Sequence, residues 1–455
     1  MLDLPKNSKA RLVFLISICL ISSYFVVAFE NFIYIFGIMV GLTILLIFTI
    51  KNPINFIKFA LLIRPSLDIL GNYKLMGVVN AAGILSLFVI LICLFIFLKE
   101  NNIRILFGIR TNIIYALIIG SIISTISNYQ YIDYNISLID FIMKMLSAVS
   151  IFLVLIDYMK TYDRVIEIVK TVMLSALFPI FFGFFCFVTD FNTIPLYGVP
   201  YINRIMSTFV HPNNFGHYLL VVFFYYQINR QFELKEKWIF GRMFFILLLL
   251  NILFTFSRSS IIGLLCGYLI VKIKNVKSLI FSIFAVSLTF LLFYYQYTDF
   301  FDYTFEYTLQ SDYADKSTLY SRVYVWYNSF SMIFDSFFWG YGVEYFLKIF
   351  GTNAHNDYLR VFFELGLSGF VLVCSLFFFQ IKDSMHLMKS DKKLNQEIGK
   401  IYMANIITIL LIMSVGNLIF SLVIQWYVYG LWAIVLSLKN IQRSNCKRML
   451  YNSNS

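Results

Sequence analysis

The sequence predicts an all-α, polytopic membrane protein with about 12–14 transmembrane helices. Of its 455 residues, 60% are hydrophobic and 13% are charged, and the mean hydropathy is +0.80. Apolar stretches of membrane-spanning length recur along the whole chain and are separated by short basic connections. This pattern excludes a soluble enzyme with one anchor and favours a single polytopic membrane domain covering residues 1–455.

Fourteen apolar runs are predicted, of which the weakest, 54–70, contains Arg64 and Pro65. Basic residues near both chain ends place both termini in the cytoplasm, which requires an even number of crossings. Run 54–70 is therefore predicted to cross as a broken helix, giving about fourteen crossings; twelve result if the weak runs are re-entrant or fused. The other runs lie near 11–29, 31–50, 76–98, 112–127, 136–158, 166–189, 214–229, 241–256, 259–271, 278–297, 359–380, 401–415 and 417–438.

The net charge of +12 is explained by membrane orientation, because most basic residues fall in connections assigned to the cytoplasmic side. No nucleic-acid partner is expected. Alternation places the long segment 298–358 outside, and its eight acidic residues against three basic ones fit that side. An amphipathic helix is expected over 317–334, on the outer surface. The many aromatic residues here fit either sugar contacts or a membrane-interface belt.

One histidine lies where this external segment meets an apolar helix. Asn356 and Asp357 are good N-cap residues for a helix that starts near Tyr358 and runs to about Phe379. His355 therefore precedes a helix N-terminus, whose field favours a bound anion such as phosphate and disfavours a protonated imidazole. A neutral histidine able to accept a proton is expected there.

The stretch AHNDYLRVFFELGLSGF at 354–370 resembles the C-terminal signature of the O-antigen ligase/polymerase family. Two further segments resemble the family's R…W…PxxGxG and R…GTF…PN patterns, and the likeness covers roughly residues 200–380. Ser207 stands at the usual Gly, and Phe337-Phe338-Trp339 stands where many members have a proline-containing turn. The segments contain Ser321-Arg322, Trp326, Phe338-Trp-Gly340-Tyr-Gly342 and Arg204 to His217.

The resemblance implies a helical membrane glycosyltransferase of the glycosyltransferase-C type, with a cavity open sideways to lipid. His355 would be the general base or would orient the acceptor, and Arg258, Arg322 and Arg204 would bind the pyrophosphate of a lipid-linked donor. Weaker acceptor or sugar contacts are expected from Asn356, Asp357, Glu364 and Trp326.

Two of these arginines, Arg258 and Arg322, also have a plainer interpretation. Arg258 lies in a short turn between apolar runs and could simply snorkel to the surface, whereas a guanidinium also matches phosphate bidentately. Without the family resemblance, Arg322 would be interpreted as an ordinary solvated arginine. The matching R…W segment instead favours a role in phosphate binding.

No metal and no cofactor are expected. His211 and His217 are six residues apart without a third ligand in their segment, so a zinc site there is disfavoured. No Asp-x-Asp pattern marks a metal–sugar-phosphate site in the external loops. Arginines are expected to neutralise the leaving group instead.

The resemblance implies a polymerase that transfers an oligosaccharide from an undecaprenyl-pyrophosphate-linked donor to a lipid-linked repeat unit of O-antigen or capsule. A ligase, which transfers the glycan to lipid A-core, uses the same parts. A lipid-linked oligosaccharide flippase is the rival outside enzymes, but the polar features gather on one external face. Expected partners are the lipid-linked donor and acceptor, membrane lipids, and chain-length regulator and flippase proteins. The expected location is the bacterial plasma membrane, with the active site facing outward.

Overall fold

The computed structural model describes residues 41, 52–70, 74–75, 79–99, 108–127, 135–196, 199–232, 239–272, 319–418 and 421–452. The predicted runs 11–29 and 278–297, all of 31–50 except residue 41, and the first part of the external segment, 298–318, lie outside these residues. The total number of crossings, the side on which each loop lies and the glycosyltransferase-C type of fold therefore stay predictions.

The described chain is helical, with two small antiparallel hairpins. The helices are α1 Pro53–Ile63, α2 Ala81–Lys99, α3 Ile109–Ser127, α4 Asn135–Tyr158, α5 Tyr162–Ser175, α6 Leu177–Thr189, α7 Pro212–Phe232, α8 Ile239–Phe254, α9 Arg258–Lys272, α10 Leu319–Ile333, α11 Tyr345–Phe350, α12 Asp357–Met388, α13 Lys393–Met413 and α14 Leu422–Asn452. Short 3-10 helices cover Leu67–Leu70 and Phe334–Ser336. The hairpins pair β1 Lys74–Leu75 with β2 Val79–Asn80, and β3 Thr193–Leu196 with β4 Val199–Ile205.

Six helical segments of the described chain are long and apolar enough to cross a membrane, which confirms the predicted all-α polytopic class. They are Ala81–Leu98, Ile109–Ser127, Leu138–Tyr158, Tyr162–Thr189, Asp357–Met388 and Lys393–Met413. On α2, Leu87, Leu91, Leu94 and Leu98 follow helical spacing and are 45–65% exposed. An exposed stripe of leucines on one helix face is what contact with lipid requires.

Some elements differ from the predicted runs. The run 54–70 forms the 11-residue helix α1, a turn at Arg64–Ser66 and a 3-10 helix. Helix α1 is about 16 Å long and cannot cross the roughly 30 Å hydrocarbon core by itself. The last run begins at Leu422 rather than at 417, which leaves residues 414–418 in the turn after α13.

The buried carboxylate of Asp383 joins three helices. Its oxygens accept hydrogen bonds from Arg110 of α3 (Nε to Oδ2, 2.8 Å), from the Trp432 indole of α14 (3.0 Å) and from Lys439 Nζ (3.3 Å). Removing the aspartate would leave two cations facing each other without a counter-charge. The Asp383 carboxylate therefore holds α3 and α14 against α12.

Helix α12 is interrupted at Gly366, which has φ 65° and ψ −168°. The break turns backbone groups away from the helix, and the segment 337–342 pairs with them. The hydrogen bonds run from Tyr341 N to Phe363 O (2.9 Å), Gly342 N to Glu364 O (2.8 Å), Leu367 N to Phe337 O (2.8 Å) and Ser368 N to Phe338 O (3.2 Å).

Close backbone contact at this break demands glycine on both sides. A Cβ added to Gly366 would lie 2.5 Å from the Phe338 carbonyl group, and one added to Gly340 would lie 2.4 Å from Gly366 N. Both residues also have φ near 70°, which glycine adopts without strain. Gly340 and Gly366, from two separate sequence motifs, therefore pack directly against each other. The part of α12 from 367 to 388, about 33 Å long, can cross the membrane without the 357–365 part, unlike the single continuous span predicted.

Candidate active site

His355 lies in the loop immediately before α12, as predicted, and its side chain is half-buried. Its φ of 49° is in the left-handed region, which is uncommon for a residue other than glycine. Asn356 is the N-cap of α12, and its side-chain oxygen accepts a hydrogen bond from Leu359 N at 3.1 Å. The predicted helix start is therefore confirmed, and His355 lies just beyond the cap.

Two long side chains hold the loop that leads into His355. The indole N–H of Trp326 in α10 donates to the Ala354 carbonyl at 2.6 Å. Arg360, one turn into α12, donates from Nη1 to Asn353 Oδ1 at 3.3 Å. Both contacts fall within two residues of His355, so they determine how its backbone enters α12.

A reciprocal pair of hydrogen bonds connects the His355 segment to the turn after α13. The backbone N–H of His355 donates to Asn417 Oδ1 at 3.1 Å, and Leu418 N–H donates to Asp357 Oδ2 at 2.6 Å. Asp357 is fully buried, so its carboxylate serves this backbone contact. The sugar contact expected of Asp357 stays a prediction.

Glu364 belongs to a buried ion network. Its Oε1 accepts from Arg360 Nε at 2.9 Å, and Arg360 Nη2 lies 3.0 Å from Glu344 Oε1. Glu364 is fully buried and Arg360 is 3% exposed. Together these groups tie α12 to the start of α11. The structure thus gives Glu364 a role inside the protein, and its expected sugar contact stays untested.

Arg204 of β4 brings three segments together. Its Nε donates to the Thr255 carbonyl at 2.9 Å, at the end of α8, and its Nη2 donates to Asn213 Oδ1 at 2.7 Å, in the first turn of α7. Burial, and then the positive charge of Arg258, lower the pKa of Arg204 to about 10. Arg204 therefore stays charged at neutral pH and lies close to Arg258.

Arg258 is the first residue of α9, and its side chain is exposed. Ser257 caps this helix: its Oγ accepts from Ser260 N at 3.4 Å and from Ser260 Oγ at 2.8 Å. Among the described residues, no carboxylate forms an ion pair with Arg204 or Arg258. Two neighbouring guanidinium groups at a helix N-terminus create a local excess of positive charge, which suits a bound anion.

His211 adds no charge to this site at neutral pH. Its Nδ1 accepts a hydrogen bond from Asn213 N at 3.1 Å. Burial and then the nearby charge of Arg204 lower the pKa of His211 to about 4. The imidazole is therefore neutral above about pH 5 and acts as a cap at the start of α7.

The backbone conformation at residue 207 explains why Gly is usual at this position, and a hydrogen bond explains how this chain accommodates Ser207 there. Ser207 has φ 52°, a conformation that favours glycine, and the family's usual residue at this position is Gly. Its hydroxyl donates to the Pro179 carbonyl at 2.6 Å. That hydrogen bond helps to hold a non-glycine residue in the left-handed conformation.

The arginine segments and the His355 segment meet through His217. This buried residue of α7 shares a hydrogen bond with Ser259 Oγ at 2.9 Å, one residue after Arg258. The neighbouring ring atom faces Gly416, where an added Cβ would lie 3.5 Å from His217 Cε1. Gly416 precedes Asn417, which holds the His355 backbone. Three segments far apart in sequence thus come together in one place.

Of the predicted residues, Arg204, Arg258, His355, Asn356, Asp357 and Trp326 belong to this connected region, and Glu364 is joined to it through Arg360. Arg322 lies near the start of α10, but its side chain is outside those that the structure describes.

The sequence did not predict Asn417 as a site residue, because 417–438 was interpreted as one apolar span. His217 was considered only as a zinc ligand, and no local pattern marks either residue as part of the site.

Comparison with known proteins agrees with this region of the chain. Residues 243–374 match the model of the family described as O-antigen ligase, a range that includes Arg258, Trp326, His355 and Glu364. No curated protein matches the chain. The match supports a multi-pass membrane protein of the glycosyltransferase type with a function of the broad ligase or polymerase kind. The resemblance to the O-antigen ligase/polymerase family is therefore confirmed over residues 243–374.

Proposed function

We propose that this protein is a bacterial surface-polysaccharide polymerase. It would transfer an oligosaccharide from an undecaprenyl-pyrophosphate-linked donor to a sugar hydroxyl of a second lipid-linked repeat unit, without a metal ion. The reaction would take place at the outer face of the plasma membrane, with both chain termini in the cytoplasm. Chain-length regulator and flippase proteins would act beside it.

The observation that carries this proposal is the excess positive charge of Arg204 and Arg258 beside the His355 segment. A pyrophosphate leaving group develops negative charge as the glycosidic bond breaks, and preorganised guanidinium groups stabilise that charge. Arg258 is exposed, so a ligand can reach it, and Arg204 stays protonated at neutral pH. Arg322 is proposed as the third phosphate ligand.

His355 is proposed as the general base. The acceptor hydroxyl attacks the anomeric carbon of the donor sugar and gives its proton to the imidazole while undecaprenyl pyrophosphate leaves. One carbon–oxygen bond forms and one breaks, so neither an oxidant nor a metal is needed for balance. His355 is half-buried in the loop just before the N-cap of α12, so the residue is partly accessible.

A cavity of about 330 Å³ is lined by Asn356, the residue after His355, and supports an acceptor position near the proposed base, although His355 itself does not line it. Most of its lining residues are aromatic, and aromatic faces can pack on the apolar faces of sugars. Trp326 contributes to this wall while its indole N–H holds Ala354. The lining residues are Trp326, Phe330, Asn356, Tyr358, Leu359, Phe362 and Phe370.

The deciding experiment uses purified protein in detergent or vesicles with an undecaprenyl-pyrophosphate-linked repeat unit as both donor and acceptor. A ladder of products on a gel, absent with His355→Ala, is the expected result. Product made only when lipid A-core is added would identify a ligase. Movement of the substrate between leaflets without new glycosidic bonds would identify a flippase and overturn the proposal.

A further inference from the structure

We propose that Asn417 is a positioning residue that orients His355 for proton transfer. This inference rests on the proposed function, because it assigns a role within the same reaction. Asn417 touches the His355 backbone and is expected to act through it, without contacting the acceptor sugar.

The backbone of His355 needs external support. A non-glycine residue with φ 49° is strained and persists only where its surroundings hold it. The Asn417 side-chain oxygen accepts the His355 N–H at 3.1 Å, and the Asp357 carboxylate accepts the Leu418 N–H at 2.6 Å. Each segment thus supplies one side-chain acceptor to a backbone donor of the other. Such a two-point connection sets both the distance and the rotation between the segments.

The same turn packs on the arginine side of the site. Gly416 faces the buried ring of His217, which is hydrogen-bonded to Ser259 beside Arg258. The turn at 414–418 therefore contacts both the backbone of the proposed base and the histidine that is hydrogen-bonded beside one proposed phosphate ligand. On this proposal, a shift of the turn would change the distance between the imidazole and the leaving group. A displacement of about 1 Å in such a geometry can lower a rate by about 10²-fold.

Asn417 lies outside the region that matches the family model, which ends at residue 374. The sequence places it at the edge of an apolar run, where it would be taken for a residue of a membrane span. Only the return of the chain after α13 brings its amide to His355. The proposed site thus includes a part of the chain that the family motif does not contain.

The test compares Asn417→Ala and Asn417→Asp with the matched control Asn405→Ala. Asn405 is a buried asparagine of α13, in the helix that leads to this turn, and its amide atoms have no hydrogen-bond partner among the described residues. Steady-state kinetics with the lipid-linked repeat unit give kcat and KM across pH. Binding of undecaprenyl pyrophosphate to each purified variant reports whether the arginine site is intact.

Asn417→Ala should lower kcat by about 10–10²-fold with donor binding unchanged, and Asn405→Ala should leave both unchanged. Asn417→Asp keeps an acceptor oxygen and should retain most activity at its own optimum. Its carboxylate favours the protonated imidazole, so the acid limb of its pH–rate profile should move to higher pH. The pH dependence of carbethoxylation at His355, read by mass spectrometry, should shift the same way without turnover.

A normal kcat for Asn417→Ala would overturn this inference while leaving the proposed function in place. It would also be overturned if Asn417→Asp were as impaired as Asn417→Ala, with unchanged pH profiles for both rate and carbethoxylation. Wild-type protein that makes no product would count against the proposed function, and the carbethoxylation profiles would still decide the role of Asn417.

Discussion

The indole N–H of Trp326 donates a hydrogen bond to the carbonyl oxygen of Ala354, 2.6 Å away. The two residues are 28 positions apart, and Ala354 directly precedes His355. Helix α10 is thereby attached to the loop that carries the proposed base. The tryptophan of the family's R…W segment thus has a structural reason to be present, apart from any contact with sugar.

Trp326→Phe keeps an aromatic ring but removes this hydrogen bond. Loss of one hydrogen bond of this kind is worth about 0.5–1.5 kcal/mol, so the transfer rate should fall by about 2–10-fold while donor binding stays normal. Product formation by purified protein measures the effect. An unchanged rate would show that the indole N–H does not position the loop.

Arg258→Lys should lose most activity although the charge is kept. An ammonium cannot reproduce the two-pronged contact of a guanidinium with phosphate, and loss of a transition-state donor costs about 10²–10³-fold. Arg164→Lys, at an exposed arginine of α5, is the matched control. Polymer of normal length and amount from Arg258→Lys, at equal expression, would leave Arg258 only an anchoring role.

His355→Ala should abolish transfer and leave the donor bound, because the base acts on the acceptor while the arginines hold the donor. The loss of a general base lowers rates by about 10²–10⁴-fold. His355→Asn separates this role from simple packing, since it retains size and hydrogen bonding. Full-length polymer from His355→Asn would end the assignment. His386→Asn, at an exposed histidine near the end of α12, serves as the control.

Gly366→Ala should destabilise the fold strongly. The new Cβ would lie 2.5 Å from the Phe338 carbonyl group, and φ 65° is unfavourable for alanine. A loss above about 2 kcal/mol is expected, seen as a lower thermal unfolding midpoint in detergent or as failure to accumulate. Gly120→Ala is the matched control, because nothing lies within 4 Å of its added Cβ in α3. Equal stability of the two variants would contradict the tight pairing at the helix break.

The side of the membrane can be tested at Tyr327, which is 76% exposed on α10. The external location of 298–358 predicts that a single cysteine at Tyr327→Cys, in a background without the native cysteines, reacts with an impermeant reagent in intact or outer-permeabilised cells. Protein solubilised in detergent gives the positive control. Labelling in detergent only would place the segment in the cytoplasm and remove the outward-facing site.

The sequence by itself determined the class of protein and the start of its most informative helix. Apolar runs of bilayer length require internally hydrogen-bonded helices, because lipid offers no partners for backbone groups. Asn356 predicted the cap of α12 through purely local chemistry, since its own side chain satisfies the free N–H of Leu359. The motif around His355 likewise predicted the resemblance to the O-antigen ligase/polymerase family, which the match over 243–374 supports.

Only the tertiary structure decided where the chain bends and which distant residues meet. Gly366 looks like an ordinary glycine of an apolar helix, and its left-handed conformation appears only because segment 337–342 occupies the break. Arg204 donates a hydrogen bond to the Thr255 carbonyl, three residues before Arg258, and this contact brings the two arginines close together. Asn417 contacts His355 only because helices α12 and α13 return the chain to the same place. Such contacts depend on how helices pack, and packing is set by the summed burial of many side chains rather than by any local pattern.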